Sequence, residues 1–327
     1  MDPLWALRQV AFQLERAGEP TYRVRAFRKA AEVVAALPDG EVERRVAAGT
    51  LTDLPGIGKA TAGVITDAVA GREPTYLSRF REPVVGGQAL RALLKGDCHT
   101  HSDWSDGGSP IREMAEAARD LGHSWMVLTD HSPRLTVANG LSADRLLRQL
   151  DVVAELNTEL APFLILTGIE VDILDDGSLD QRPELLERLD VVVASVHSKL
   201  RMPAPEMTRR MVAAVSNPHV DVLGHCTGRL VVGKGRPEST FDAEAVFSAC
   251  VEHGTAVEVN SRPERRDPPG RLLRLAVELG CSFSIDSDAH APGQLDWLSF
   301  GCERAEECGV TPDRVINTLD AAELLTR

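Results

Sequence analysis

Aromatic residues are scarce in this 327-residue chain, at 4%, and its six cysteines include no C-x-x-C pair. Cys98, Cys226, Cys250, Cys281, Cys302 and Cys308 are scattered. That spacing excludes a thiolate metal motif and predicts reduced thiols in a cytoplasmic protein. No apolar run approaches the ~20 residues that a transmembrane helix needs, so no membrane partner is expected. The opening stretch MDPLWALRQVAFQLERAGE carries charge early and lacks an unbroken apolar segment, so it does not read as a signal peptide. Short internal repeats and low-complexity segments are absent too. Basic residues are in deficit, 36 against 49 acidic ones, a net charge of −13. Taken alone, that argues against an anionic partner such as nucleic acid. The deficit is uneven, however. Residues 1–82 hold 12 basic and 11 acidic side chains, which leaves 24 against 38 for the remainder. Acidity concentrated in one region suits a site whose carboxylates are offset by divalent cations.

What the chain does have is apolar residues, at 43%, enough for a sizeable core, and a length suited to a barrel plus a smaller module. Residues 1–82 read as helices. Leu4, Leu7, Val10 or Ala11, and Leu14 recur at helical spacing, as do Val24, Phe27, Ala31, Val34 and Leu37. Pro38-Asp39-Gly40 stops the second helix, and Leu54-Pro55-Gly56-Ile57-Gly58-Lys59 leads into a third. Residues 83–95, with Pro83, Gly86 and Gly87, read as a linker. From residue 96 to 327, β-rich runs alternate with amphipathic stretches. The runs are 97–102, 125–131, 163–173, 191–197, 220–226, 256–261 and 283–289. Such alternation predicts an α/β fold with a parallel sheet, and seven units with no obligatory edge predict a closed barrel.

Six of these seven runs end on a potential metal ligand. The first carries His99 and His101, then Asp106 follows. The others end at His131, Glu170, His197, His225, and Asp288 with His290. In a parallel barrel the C-terminal strand ends meet at one mouth. Residues two apart on a strand share a face, so His99 and His101 point the same way. A single such histidine is more often structural, but agreement across six strand ends is not expected of structural residues. Nine imidazole and carboxylate ligands exceed the about four to six that one ion takes, so two or three ions are expected. The donor set suits Zn²⁺, Mn²⁺ or Fe²⁺. With Glu170 bridging, such a centre turns water into hydroxide near neutral pH and steadies an in-line displacement at phosphorus. His123, His219 and His253 fall outside this pattern and read as ordinary.

In order, His-x-His, Thr-Asp-His, Gly-Ile-Glu, Ser-Val-His, Gly-His and Asp-Ala-His resemble the PHP (polymerase and histidinol phosphatase) domain. The resemblance implies a distorted seven-stranded β/α barrel of the TIM-like kind and a trinuclear centre. It implies one ion on His99, His101, Glu170 and Asp288, a second on Glu170, His197 and His225, and a third on Asp106, His131 and His290. The segment Gly224-His225-Cys226-Thr227-Gly228-Arg229-Leu230 resembles PHP domains of bacterial family X DNA polymerases, except that Cys226 stands where a proline is usual. Glu258-Val259-Asn260, Pro263, Arg265 and Asp267 match the same branch. Arg229 and Arg265 are candidate catalytic phosphate clamps, since guanidinium grips phosphate bidentately; structural ion pairs are the alternative.

The Leu54–Ala62 stretch resembles a helix-hairpin-helix. Gly56 and Gly58 permit its turn, and Lys59 opens a helix whose N–H groups can take a DNA phosphate. Upstream, Tyr22 to Ala31 resembles the small DNA-binding domain of the same polymerases, and Arg23, Arg25, Arg28 and Lys29 form a basic patch on an acidic chain. Two departures stand out. No polymerase core lies between the two regions, so no polymerase activity is expected. Val64 and Phe27 occupy positions where some relatives carry a lysine nucleophile and a tyrosine, so lyase chemistry is not expected either. The resulting expectation is a monomeric phosphoesterase that acts on DNA in repair, as a 3′–5′ exonuclease or abasic-site endonuclease. A small-molecule phosphatase, of histidinol phosphatase or nucleotide type, is the alternative. A non-catalytic DNA-binding adaptor is the third reading.

Overall fold

The computed structural model describes residues 1–80 and 86–327, and the chain divides into two compact units, Met1–Val84 and Val85–Arg327. No helix among the described residues is long and apolar enough to cross a membrane.

The first unit holds α1 (Pro3–Arg16), α2 (Thr21–Ala35), α3 (Glu41–Ala48) and α4 (Lys59–Val69). Asp2 caps α1 by accepting from the Leu4 N–H, with Pro3 at the first helical position, where its missing N–H costs nothing. The helical periodicities then bury one stripe of each helix. Leu7, Val10, Ala11 and Leu14 meet Val24, Phe27 and Ala31, with Val64, Ile65 and Ala68 of α4. The turn before α4 needs glycine at position 56, where φ is +93° and an added Cβ would lie 3.1 Å from Lys29 Cγ.

The second unit opens differently from the linker expected over 83–95. Residues 83–85 lie outside the described residues, but α5 (Gln88–Arg91) is helical and Leu90 and Leu94 are buried in the core of this unit. The Leu90 N–H donates to Glu306, and the Lys95 N–H to the Asn317 carbonyl. Gly86 and Gly87 read as part of a linker, yet Leu90 and Leu94 just after them belong to the core.

Seven parallel strands follow in sequence order: β1 (Gly96–Thr100), β2 (Trp125–Leu128), β3 (Leu164–Asp172), β4 (Val191–Ser195), β5 (Val222–Leu223), β6 (Ala256–Asn260) and β7 (Phe283–Asp286). They are buried on both faces, which is why they read as continuous apolar runs rather than alternating ones. Long helices cross between them, among them α6 (Ile111–Asp120), α7 (Ala143–Leu160), and the stretches Ala204–Val215, Ala243–His253 and Gly270–Leu279. The sheet's first and last strands approach one another: Thr100 pairs with Ala289, and the His101 N–H donates to the Ala289 carbonyl at 2.8 Å. Most strands stop two or three residues before the expected ends. Seven of the nine ligand-type residues therefore sit past the ladder, while His99 and Glu170 lie within β1 and β3.

Candidate metal centre

Glu170, the seventh residue of β3, is the hub. Its Oε2 lies 3.3 Å from His99 Nε2, 3.6 Å from His101 Nε2 and 2.9 Å from His131 Nδ1. Its Oε1 lies 3.1 Å from His197 Nε2 and 2.9 Å from His225 Nε2. One carboxylate thus faces five imidazoles from four strand ends. Its neighbour Gly168 makes this approach possible, since a Cβ there would come within 2.6 Å of Val127 and 2.7 Å of the Val191 carbonyl. The remaining three residues, Asp106, Asp288 and His290, complete two flanks. His101 meets Asp288 at 3.5 Å, while His131 and His290 meet Asp106 at 3.5 and 3.3 Å. All nine residues expected as ligands converge in one cluster. Its His101, His131 and His290 rings lie as close as 4.2 Å, centroid to centroid.

A metal ion fits this arrangement better than hydrogen bonding does. His99 Nε2, His101 Nε2, His131 Nδ1 and His197 Nε2 are buried nitrogens without a hydrogen-bond partner, although all point toward Glu170. Buried polar atoms are normally satisfied, and nitrogens left bare around a carboxylate are what a cation would engage. Three groups have donor atoms close enough to share an ion: His101, Asp106, His131 and His290; His99, His101 and Glu170; His131, Glu170 and His197.

The electrostatics agree. Burial pushes the Glu170 carboxyl up, but His197, His99 and His131 outweigh it and hold the group well below the usual carboxylate range. Burial likewise opposes ionisation of Asp288, yet Arg262 and Arg265 keep it well below its ordinary value. His101 is pushed down by burial and by the cationic forms of His290 and His131. Charged carboxylates and a His101 that resists protonation suit metal ligation. At His99 and His197, by contrast, burial is outweighed by neighbouring carboxylates, which draw His99 well up and His197 up to about 9, so an ion would have to displace those protons.

A second layer orients these side chains. Glu258 accepts from His99 Nδ1 at 2.6 Å and from the His225 backbone N–H. Asp172 pairs with His197 Nδ1. A carboxylate behind a ligating histidine fixes its tautomer and raises its basicity. Asp172 carried a readable signal, because it lies two residues beyond Glu170 on the same strand. Asp130 holds the loop that carries Asp106: it accepts from the Ser102 N–H at 2.9 Å, Ser102 Oγ at 2.6 Å, Gln149 Nε2 at 2.6 Å and Ser105 Oγ. Asp288 has a φ of +52°, a strained conformation for a side-chain-bearing residue, and it is secured by Asn260 at 3.1 Å and Arg265 Nε at 3.1 Å.

The two arginines expected as clamps part company. Arg265 lies at the centre, and its Nη1 is buried without a partner. Arg229 is committed elsewhere, which corrects its expected role. Its guanidinium donates to the carbonyls of Arg265 and Arg266 and to Glu238, so it shapes the loop that presents Arg265. Arg262, not singled out by the sequence, reaches Asp288 and His290 while lying over Trp297. His123 stands apart, buried against Arg91. His219 and His253 also lie outside the cluster.

In the first unit, Lys59 begins α4 and is exposed beside Gly56 and Gly58, whose backbone joins Thr61 in a reciprocal cap. Arg25 and Lys29 are exposed on α2. Arg28 is drawn inward instead, donating to both carboxylate oxygens of the buried Glu15 at 2.7 and 2.9 Å. A bidentate pair to a buried acid leaves that guanidinium poorly placed for a phosphate, so Arg28 departs from the expected patch. All six cysteines are free.

Residues 97–262 match the model of the PHP domain, and residues 1–73 that of a helix-hairpin-helix domain. The DNA polymerase/3′-5′ exonuclease PolX of Bacillus subtilis is 40% identical over 224 residues, covering 68% of this chain but only 39% of that protein. A probable phosphatase of Thermoanaerobacter sp. is 30% identical over 233 residues, covering 68% of this chain and 89% of that one. Among solved structures, histidinol phosphate phosphatase of Lactococcus lactis covers 66% of this chain at 18% identity with a TM-score of 0.47.

Proposed function

From a chain that belongs to the PHP domain family, and so from a metal-dependent phosphoesterase, we propose a DNA-directed enzyme of repair that trims 3′ ends or cuts at abasic sites. The observation that carries the reading is Glu170 facing five imidazoles beneath an arginine with a spare buried N–H. Two or three divalent ions, Zn²⁺, Mn²⁺ or Fe²⁺, held by the nine clustered residues would supply a nucleophilic water at neutral pH and Lewis-acid charge on the phosphoryl oxygens. Arg265 Nη1 grips a phosphoryl oxygen while its Nε stays on Asp288. Glu258 and Asp172 keep His99 and His197 in the tautomers that present Nε2. We read the sheet, with β1 and β7 joined at Thr100 and Ala289, as a distorted seven-stranded barrel.

The helix-hairpin-helix match is what favours DNA as substrate, with Gly56, Gly58, Lys59, Arg25 and Lys29 as its backbone contacts. No polymerase activity is proposed, because only residues 74–96 separate the two family matches. We propose a cytoplasmic monomer. Resemblance to a probable phosphatase over nearly that protein's whole length favours one second reading, a small-molecule phosphomonoesterase. Purified protein with Mn²⁺ or Zn²⁺ decides between them, tested on a labelled gapped oligonucleotide and on a panel of phosphomonoesters. Shortening or nicking of the DNA, lost in His197→Ala and Asp288→Ala, supports the first reading. Turnover of monoesters alone establishes the second.

A further inference from the structure

A cavity of about 440 Å³ opens over the cluster, and its two walls differ in kind. One wall is polar: Arg262, Arg265 and Glu264, together with the histidines and carboxylates of the centre. The other is aliphatic: Leu135, Val137 and Ala138 from the loop after β2, and Leu230 from the loop after β5. Val137 is 92% exposed, an aliphatic side chain left in water on the rim of a polar site. Both loops are held in place. The 132–140 loop is pinned where the Leu141 N–H donates to the His131 carbonyl and Asn139 donates to the Trp104 carbonyl. Leu230 sits in a small antiparallel bridge with Arg236, and Val231 donates to the Glu264 carbonyl.

With the charged residues of the centre lining the rest of the cavity, its aliphatic side is where the substituent of a phosphoryl group held at Arg265 and Glu170 would lie. The volume is that of a site for one small organic group, since such sites hold about 300–1,000 Å³. A duplex does not enter it. The occupant must offer an apolar face to Leu135, Val137 and Leu230. It must also bring hydroxyls for Glu264, the carboxylate on the opposite side. It needs no second phosphate, because Arg262 on the polar wall is already paired with Glu264 at 3.4 Å and with Asp288. A nucleoside meets all three conditions: a flat, largely apolar base face on a hydroxylated sugar.

Resting on the phosphoesterase reading above, we propose that Leu135, Val137, Ala138 and Leu230 form a nucleoside subsite. It receives the nucleoside that stays esterified to the phosphorus through its 5′-oxygen, while the other ester oxygen departs. The subsite makes the enzyme select nucleoside 5′-phosphodiesters over small alkyl ones.

Two chromogenic diesters with the same leaving group test this. Thymidine 5′-(p-nitrophenyl phosphate) carries a nucleoside on the retained oxygen, and methyl p-nitrophenyl phosphate carries only a methyl group. In each, water adds to phosphorus and p-nitrophenolate leaves. The Mn²⁺-loaded full chain is expected to prefer the thymidine ester by roughly tenfold or more in kcat/KM, the scale of an apolar pocket's discrimination. Val137→Asp is expected to shrink that ratio, mainly through KM for the thymidine ester, and Val137→Phe to preserve it. Val137 is exposed, so neither variant disturbs the core. Equal kcat/KM for both esters, or a ratio unchanged in Val137→Asp, overturns the subsite while leaving the phosphoesterase reading intact. If neither ester is cleaved, that underlying reading fails as a diesterase. Calorimetric binding of thymidine 5′-monophosphate then decides the subsite on its own: binding weakened by Val137→Asp supports it, and no binding overturns it.

Discussion

Single side chains here act through the groups they orient. Glu258 touches no open space, yet it sets His99 through Nδ1 and the His225 backbone through its N–H. Replacing it with glutamine keeps the shape and removes the charge behind the imidazole. Metal affinity in Glu258→Gln should fall about 10–100-fold, the usual cost of losing such a partner, as measured by competition against a chromogenic chelator. An unchanged affinity would show that His99 needs no second-layer carboxylate. His123 offers a contrast, because it is buried far from the chemistry. Burial and then Arg91 depress its pKa from 6.5 to about 3. A histidine depressed on folding contributes stability that is complete above its unfolded value and is lost as pH falls toward its folded one. Wild type should therefore lose up to ~1.4 kcal/mol per pH unit from this group between about 6.5 and 3. In urea titrations the metal-free His123→Gln variant should show a flatter acid limb than wild type. Parallel limbs would mean the ring titrates normally.

At the level of elements, the turn before α4 and the helix it starts belong together. A positive φ at Gly56 aims the next N–H groups outward, and Lys59 adds a cation where the helix dipole already favours an anion. Lys29 packs its stem against the same turn. In fluorescence anisotropy with a gapped oligonucleotide, Lys59→Ala combined with Lys29→Ala should weaken binding across sequences. It should also lower the slope of log affinity against log salt by about one to two, close to one per lost phosphate contact. A slope equal to wild type would remove these residues from the interface. Arg28→Ala belongs to a different class of variant, because it removes a bidentate partner from Glu15, which is 4% exposed.

Across the described residues, the hydrophobic clusters are built from separate stretches of chain, Ala6 to Ala68 in one and Leu90 onward in the other three. Among the described residues, the groups placed to share an ion all lie in the second unit. Mass action then stabilises that unit alone, by about 2.7 kcal/mol when free metal is a hundred times its dissociation constant. Scanning calorimetry should resolve two transitions, and chelation should lower one by several degrees while leaving the other in place. A single transition that shifts as one would mean the units unfold together.

Much of this was legible in the sequence because the physics involved is local or periodic. Strand number and order follow from apolar runs whose length and spacing need no tertiary information, and the nine clustered residues follow from their position at strand ends. The helical stripes of the first unit were legible for the same reason, since Leu7, Val10 and Leu14 must share a face. What escaped was decided by groups distant in sequence. Leu90 is core rather than linker because Glu306, more than two hundred residues on, receives its N–H. Arg229 and Arg265 look alike as residues in a motif. Only the folded loop spends one on backbone carbonyls and leaves the other a spare N–H over the metal cluster. The aliphatic wall of the cavity joins residues 135, 137 and 138 to residue 230 across the C-terminal edge of the sheet. Periodicity along a chain cannot encode such a surface, because its parts become neighbours only when the sheet brings the strand ends together.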